Sequence, residues 1–263
     1  MTAMAQLLKR PDPETRSLCP LIMAGDPDLQ TTRSLLQACV DLRIGMVELC
    51  VPFHRAFTDG PTLQRAHARG LAAGTDLEAV LAVIRDFSHN MDIVLLADCS
   101  HTLLPNGFAP VCEKAREAGA AAILPHGLPP RLAPEFISAA NGMIPVVGTL
   151  YVNSADDVCR KVLAHSSAFI YLVSAYGRSG GQAGPDAGLR LRITDLKLRT
   201  RLPIALGFGL KTPANVSDAF SMGCDIAIVG SAVSAAVESG IRTGDPVRPA
   251  RELMEALNAG VPA

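Results

Sequence analysis

The sequence predicts an α/β fold, a (β/α)8 TIM barrel, and two observations carry that expectation. Eight short apolar runs recur along the chain: Leu18–Ala24, Met46–Val51, Ile93–Ala97, Ala121–Leu124, Ile144–Gly148, Ala168–Val173, Ile204–Gly207 and Ile226–Val229. Near-continuous apolar strands of this length suit a parallel sheet covered on both faces. Amphipathic helical patterns lie between them, among them Thr31–Leu42, Leu77–Phe87, Phe108–Ala118, Ala155–Leu163 and Pro213–Met222. Strands alternating with helices point to a barrel, with a doubly wound open sheet as the second choice.

Local signals support individual elements. Asn106 precedes the third of these helices, Ser154-Ala155-Asp156-Asp157 reads as a cap with first-turn acids, and Thr212-Pro213 as a cap followed by proline. Gly119 and Gly223 close helices before the next strand. No linker rich in Gly, Pro or Ser divides the 263 residues, so one barrel domain over 1–263 is expected.

Composition narrows the function classes. The chain is 49% hydrophobic and 19% charged, with 24 Lys+Arg against 25 Asp+Glu and a formal net charge of −1. Nucleic acid or an anionic membrane would call for a basic patch, and none is visible. Seven cysteines are scattered singly without a C-x-x-C pair, and the six histidines are dispersed, so no metal site is expected. The apolar segments that hold the cysteines read as the core of a reduced, cytoplasmic protein. No apolar run reaches the ~18 residues of a membrane span, and the N-terminus lacks a signal-peptide core.

In a barrel of this kind the active site lies at the C-terminal ends of the strands. Glu48 falls inside the second strand and Asp59 in the loop after it. Two readings of Glu48 stand open. It is either a structural carboxylate satisfied by backbone donors or by Arg43, or a general acid/base whose pKa is raised by apolar surroundings. Later in the chain, Gly180, Gly207-Phe208-Gly209 and Gly230-Ser231-Ala232 place glycines after strands six, seven and eight. Bare backbone N–H groups and a helix start there suit an anion, so a phosphate ester is the expected substrate. His54, Asp98, His101 and His126 also fall at strand ends, with solvated loop residues as the plain reading and Asp98 as the candidate to alter the pocket.

These residues resemble the α subunit of tryptophan synthase. The likeness runs through Pro20-Leu21-Ile22-Met23-Ala24-Gly25-Asp26-Pro27, Glu48-Leu49-Cys50-Val51-Pro52-Phe53 with Asp59-Gly60-Pro61-Thr62-Leu63-Gln64, Tyr171-Leu172-Val173-Ser174, Gly207-Phe208-Gly209 and Gly230-Ser231-Ala232. The resemblance implies retro-aldol cleavage of indole-3-glycerol phosphate to indole and glyceraldehyde 3-phosphate, with no cofactor. It also implies that Glu48 is the acid/base and that Asp59 bonds the indole N–H. Tyr171, Leu21 and Phe208 would line the pocket, Gly180, Gly209, Gly230 and Ser231 would hold the phosphate, and Ser179 would orient Asp59. A tryptophan synthase β subunit is the implied partner.

Several loops depart from the family pattern. His54-Arg55-Ala56-Phe57-Thr58 replaces a Ser-Asp-Pro-Leu-Ala-type loop, and Leu124-Pro125-His126-Gly127-Leu128-Pro129 lacks the family's acid. Ala97-Asp98-Cys99-Ser100-His101 stands for a Met-Tyr-x-Asn-type sequence, and Ala175 stands where an arginine is usual. The partner-facing loops 54–58 and 124–129 diverge while the catalytic pair stays. Three functions follow as alternatives: a lyase acting alone, a β-dependent subunit, or a non-catalytic or repurposed relative, either a regulatory binder or a lyase for another indole or sugar phosphate. Loops 54–60 and 175–186 are expected to be mobile from their glycines and weak apolar anchoring.

Overall fold

The computed structural model describes residues 16–173, 187–207 and 209–262. The chain opens with β1 (Ser17–Met23), α1 (Leu29–Asp41), β2 (Met46–Cys50), α2 (Pro61–Ala72), α3 (Leu77–Phe87) and β3 (Asp92–Asp98). A π-helical turn (Cys99–Leu103) and α4 (Leu104–Asn106) lead to α5 (Phe108–Ala118), β4 (Ala122–His126) and α6 (Ala133–Ala140). Then come β5 (Gly148–Tyr151), α7 (Asp156–His165), β6 (Ile170–Val173), α8 (Ala187–Arg199) and β7 (Ile204–Gly207). The last elements are α9 (Pro213–Ser221), β8 (Ile226–Val229), α10 (Ser231–Thr243) and α11 (Arg248–Asn258).

All eight strands join one parallel sheet in the order β4-β3-β2-β1-β8-β7-β6-β5. Strand β1 pairs with both β2 and β8, so the first and last strands are neighbours and closure needs only β4 to meet the segment before β5. The ring closes through a parallel bridge from Ile123 to Val146. There the Ile123 N–H donates to the Pro145 carbonyl and the Val147 N–H to the Ile123 carbonyl, both at 2.9 Å.

That closure corrects the fifth strand. The expected run Ile144–Gly148 lies mostly before β5, which starts at Gly148 opposite Ile170. Ile144 still donates to the Ala140 carbonyl at the end of α6, and Pro145 has no N–H to give a ladder, so only one bridge forms there.

Side-chain alternation sorts each strand into an inner and an outer face. In β2, Val47 and Leu49 pack outward against the helices, while Met46 and Cys50 join the barrel interior. Glu48, two positions from each of these inward residues, shares their face. The same parity sends Asp98 inward after Val94 and Leu96, and His126 inward after Ala122 and Leu124.

Capping is partly as expected. Thr212 accepts from the Asn215 N–H with Pro213 in the first turn of α9, and Gly119 ends α5 at φ 85°. Asn106 does not cap α5; Gly107 holds that position, and the Asn106 amide donates to the Thr102 carbonyl instead. Ala155 occupies the cap position of α7, followed by Asp156 and Asp157 in the first turn, where acids favour the helix dipole. All seven cysteines are buried. Among the described residues no helix is long and apolar enough to cross a membrane.

Candidate active site

Glu48 is fully buried, and among the described residues neither carboxylate oxygen has a hydrogen-bond partner. The structural reading of this residue fails on that point. Arg43 is exposed, in the turn between α1 and β2, away from the C-terminal mouth of the barrel. Burial alone pushes the Glu48 pKa up from 4.5 to about 8. A carboxyl in an apolar interior favours its uncharged form because hydration of the anion is lost.

Three neighbours frame this acid. Leu21 stands opposite Glu48 in the β1–β2 register. Tyr171 points into the interior from β6 and lays its ring across Gly207, where a Cβ would come 2.3 Å from the phenol oxygen. Burial, and after it the Glu48 carboxylate, pushes the Tyr171 hydroxyl well above the ordinary phenol range. Gly230 lies beyond Leu21, such that a Cβ built on it would sit 3.5 Å from the Leu21 Cβ. It is followed at once by Ser231, the first residue of the 13-residue α10. Gly209, at φ 81°, forms part of the turn after β7. Ser179, Gly180 and Phe208 lie outside the described residues, as does loop 175–186.

Asp59 sits at the start of α2 and is held by it. The Asp59 Oδ2 lies 3.0 Å from Nε2 of His67, and the Gln64 amide donates to the Asp59 carbonyl at 2.8 Å and to the Ala56 carbonyl at 3.3 Å. Ala56 is itself buried. Loop 54–59 therefore has anchors that its composition did not suggest. Both Cys50 and Tyr171 feel the Glu48 and Asp59 carboxylates, so the two acids face one region of the mouth.

A cluster of rings covers the side of the mouth between β2 and β4. Phe53 meets His67 edge-on at 4.2 Å between centroids, stacks on His101 at 5.7 Å and tilts against His126 at 5.6 Å. Asp98 Oδ1 accepts from the Ser100 and His101 amides at 3.0 and 2.9 Å, and His101 Nδ1 lies 2.7 Å from it. Thr58 Oγ1 lies 3.4 Å from His126 Nε2. His126 is half-buried in this cluster, whereas His101, although tied to Asp98, is exposed, as is His54.

His67 escaped the sequence reading. Its signal was present: Gln64, His67 and Leu71 recur at the spacing of one helical face. These three line a cavity of about 180 Å³ beneath loop 54–57 with Phe53. A larger cavity of about 440 Å³ lies beside the start of α10, lined by Thr62, Lys211 and Ser231. Neither is lined by Glu48 or Tyr171, so the converging polar groups of the mouth mark the site better than either cavity does.

Comparison with known proteins agrees with this arrangement. The family profile described as "Tryptophan synthase alpha chain" matches residues 7–258. The tryptophan synthase alpha chain of Prochlorococcus marinus (strain MIT 9313) is 35% identical over 222 residues, covering 82% of this chain and 80% of that protein. That of Geotalea daltonii is 33% identical over 220 residues, covering 83% of each. A solved mutant tryptophan synthase alpha-subunit from the hyperthermophile Pyrococcus furiosus superposes with a TM-score of 0.82 at 29% identity, covering 92% of this chain and 97% of that one. With its eight-stranded parallel barrel and a match over nearly its whole length, the chain belongs to the tryptophan synthase alpha chain family.

Proposed function

We propose that this chain cleaves indole-3-glycerol phosphate to indole and glyceraldehyde 3-phosphate, with Glu48 moving the protons and Asp59 holding the indole N–H. The observation that carries the proposal is Glu48: buried, inward-facing at the end of β2, its oxygens without a partner among the described residues, its pKa raised to about 8. Membership in the family makes the chain a carbon–carbon lyase of the alpha type.

The chemistry follows from those properties. Neutral Glu48 donates its proton to indole C3, and positive charge develops toward the ring nitrogen. Asp59 places negative charge against that N–H, and such a contact strengthens as the charge grows. The Glu48 carboxylate then takes the proton of the side-chain hydroxyl next to C3. The bond from C3 to that carbon breaks, its electrons return to the indole ring, and the hydroxyl becomes the aldehyde of glyceraldehyde 3-phosphate. Glu48 ends protonated, as it began, which suits a group with a pKa near neutrality.

Leu21 and Tyr171 bracket the ring. The backbone N–H groups at Gly230 and Ser231, at the positive end of α10, and those of the turn at Gly209 hold the phosphate. Gly180 adds to that cradle, Phe208 to the ring pocket, and Ser179 orients Asp59, all three by the resemblance.

The alpha family normally partners with a β subunit. We infer that this chain turns over without one, because the loop bearing Asp59 is clasped by Gln64 and His67 of the same chain. A second reading has one observation in its favour. Asp98 and His126 face the inner mouth as cross-strand partners, and a polar wall there suits a different indole or sugar phosphate.

The test is release of indole and glyceraldehyde 3-phosphate from indole-3-glycerol phosphate by the purified chain, with and without a β subunit. Equal amounts of both products without β are expected. Release only with β overturns self-sufficiency, and no release under either condition favours the repurposed reading.

A further inference from the structure

The buried imidazole of His67 lies between two groups that define its state. The Phe53 backbone N–H points at Nδ1 from 3.1 Å, and Asp59 Oδ2 lies 3.0 Å from Nε2. A backbone N–H only donates, so Nδ1 must offer its lone pair, and the ring proton must be on Nε2, directed at the carboxylate. The tautomer is thereby set by a backbone amide. His67 is 3% exposed, so water does not compete for either nitrogen, and its ring is wedged edge-on against Phe53.

The helix that carries His67 is itself pinned. Arg65 makes a two-pronged contact to Glu238 of α10 at 2.8 and 2.9 Å, and Arg69 reaches Asp26 Oδ2 at 2.9 Å. The donor at Nε2 therefore has a fixed origin, and the carboxylate it holds is on the loop.

We propose that His67 is a positioning residue for Asp59. Its Nε2–H fixes the rotamer of that carboxylate through one oxygen and leaves the other to accept the indole N–H. The backbone amide of Phe53 keeps the imidazole in the tautomer that can do so. The inference rests on the lyase reading above for its consequence in catalysis, but the tautomer and the contact stand on their own.

The effect is expected in the step where charge develops. Partners that orient metal ligands are worth about 10- to 100-fold, and a comparable loss is expected for a partner that orients Asp59. Because the Asp59 contact strengthens in the transition state, the loss should fall on kcat with KM little changed.

The experiment uses the full chain and four variants: His67→Leu, His67→Gln, Asp59→Ala and the Asp59→Ala/His67→Leu double. His67→Leu keeps the bulk against Phe53 and drops both polar contacts; His67→Gln restores a donor near the Nε2 position. His67→Leu is expected to lower kcat by about 10- to 100-fold, and His67→Gln to recover most of it. Placed in an Asp59→Ala background, His67→Leu should cost nothing further, since it acts through Asp59. An undiminished cost in that background would show a merely structural role and overturn the proposal.

Nitrogen-15 spectra of histidine-labelled wild-type protein supply a readout independent of turnover and of whether the variants fold. A bare Nδ1 and a protonated Nε2 at His67 support the assignment, and the opposite tautomer overturns it. A wild-type chain with no lyase activity but the stated tautomer would sink the functional reading while leaving the contact intact.

Discussion

Leu21 and Glu48 stand opposite each other across β1 and β2, and Gly230 approaches Leu21 from β8. One side chain thus separates the buried acid from the start of α10, so a ring resting on Leu21 can carry a phosphate at one end and meet the acid at the other. Gly230 adopts φ −106°, which any residue tolerates, and an added methyl would make only ordinary contact with Leu21. Gly230→Ala should therefore fold normally but crowd the helix-end amides. Its affinity for glycerol 3-phosphate should drop by about tenfold, or ~1.4 kcal/mol, in a calorimetric titration; unchanged affinity would place the phosphate elsewhere.

Gly207 behaves differently. A methyl there would fall 2.3 Å from both the Tyr171 Cε2 and its phenol oxygen, so the ring must move. Gly207→Ala should cost about 1–3 kcal/mol of stability through overpacking, measured by urea denaturation. It should also weaken ligand binding, because Tyr171 can no longer cover the same face of the pocket.

The buried acid makes stability depend on pH. Glu48 has a pKa of about 8 when folded against 4.5 in an ordinary setting. Between these values the native state holds a proton that the unfolded chain releases, so stability falls as pH rises through that window. Below it both states are protonated and the penalty is absent. Glu48→Gln, which carries no ionisable proton, should lack this slope. Its advantage over the wild type should grow to several kcal/mol by pH 8, visible as diverging melting temperatures between pH 5 and 8. Parallel curves would mean that Glu48 titrates normally.

Asp98 caps the π-helical turn and holds His101 at the same oxygen. Asp98→Ala should cost about 1–2 kcal/mol by loss of the cap and free His101 from its stack on Phe53. Asp98→Asn keeps an acceptor for the two amides and should cost less than half as much in chemical denaturation. A larger loss in the Asn variant would show that the His101 contact, not the cap, dominates.

Much of this architecture was legible because it rests on local, periodic signals. Strands β7 and β8 match their apolar runs end to end, and α3 and α5 match theirs, since each lies between clear stop signals such as Gly119. The fifth strand was misplaced because Ile144, Pro145, Val146 and Val147 are as apolar as a strand. Only the ring closure shows that they serve as its bridge.

Within the site, Glu48 was visible as a charge in an apolar run. Its lack of hydrogen-bonding partners among the described residues was not, because that depends on what the seven other strands bring near it. His67 and the rings around Phe53 were hidden for the same reason: their meaning lies in contacts among the loop after β2, α2, the π-helical turn and β4 that no single stretch of sequence encodes.

The central claim is that Glu48 carries the protons of the reaction, and the most direct measurement compares wild-type and Glu48→Gln chains in indole release, alongside their affinity for glycerol 3-phosphate. The account predicts a loss of turnover of at least about 10²–10⁴-fold with affinity for the phosphate nearly unchanged. A Glu48→Gln chain that releases indole at the wild-type rate would contradict it.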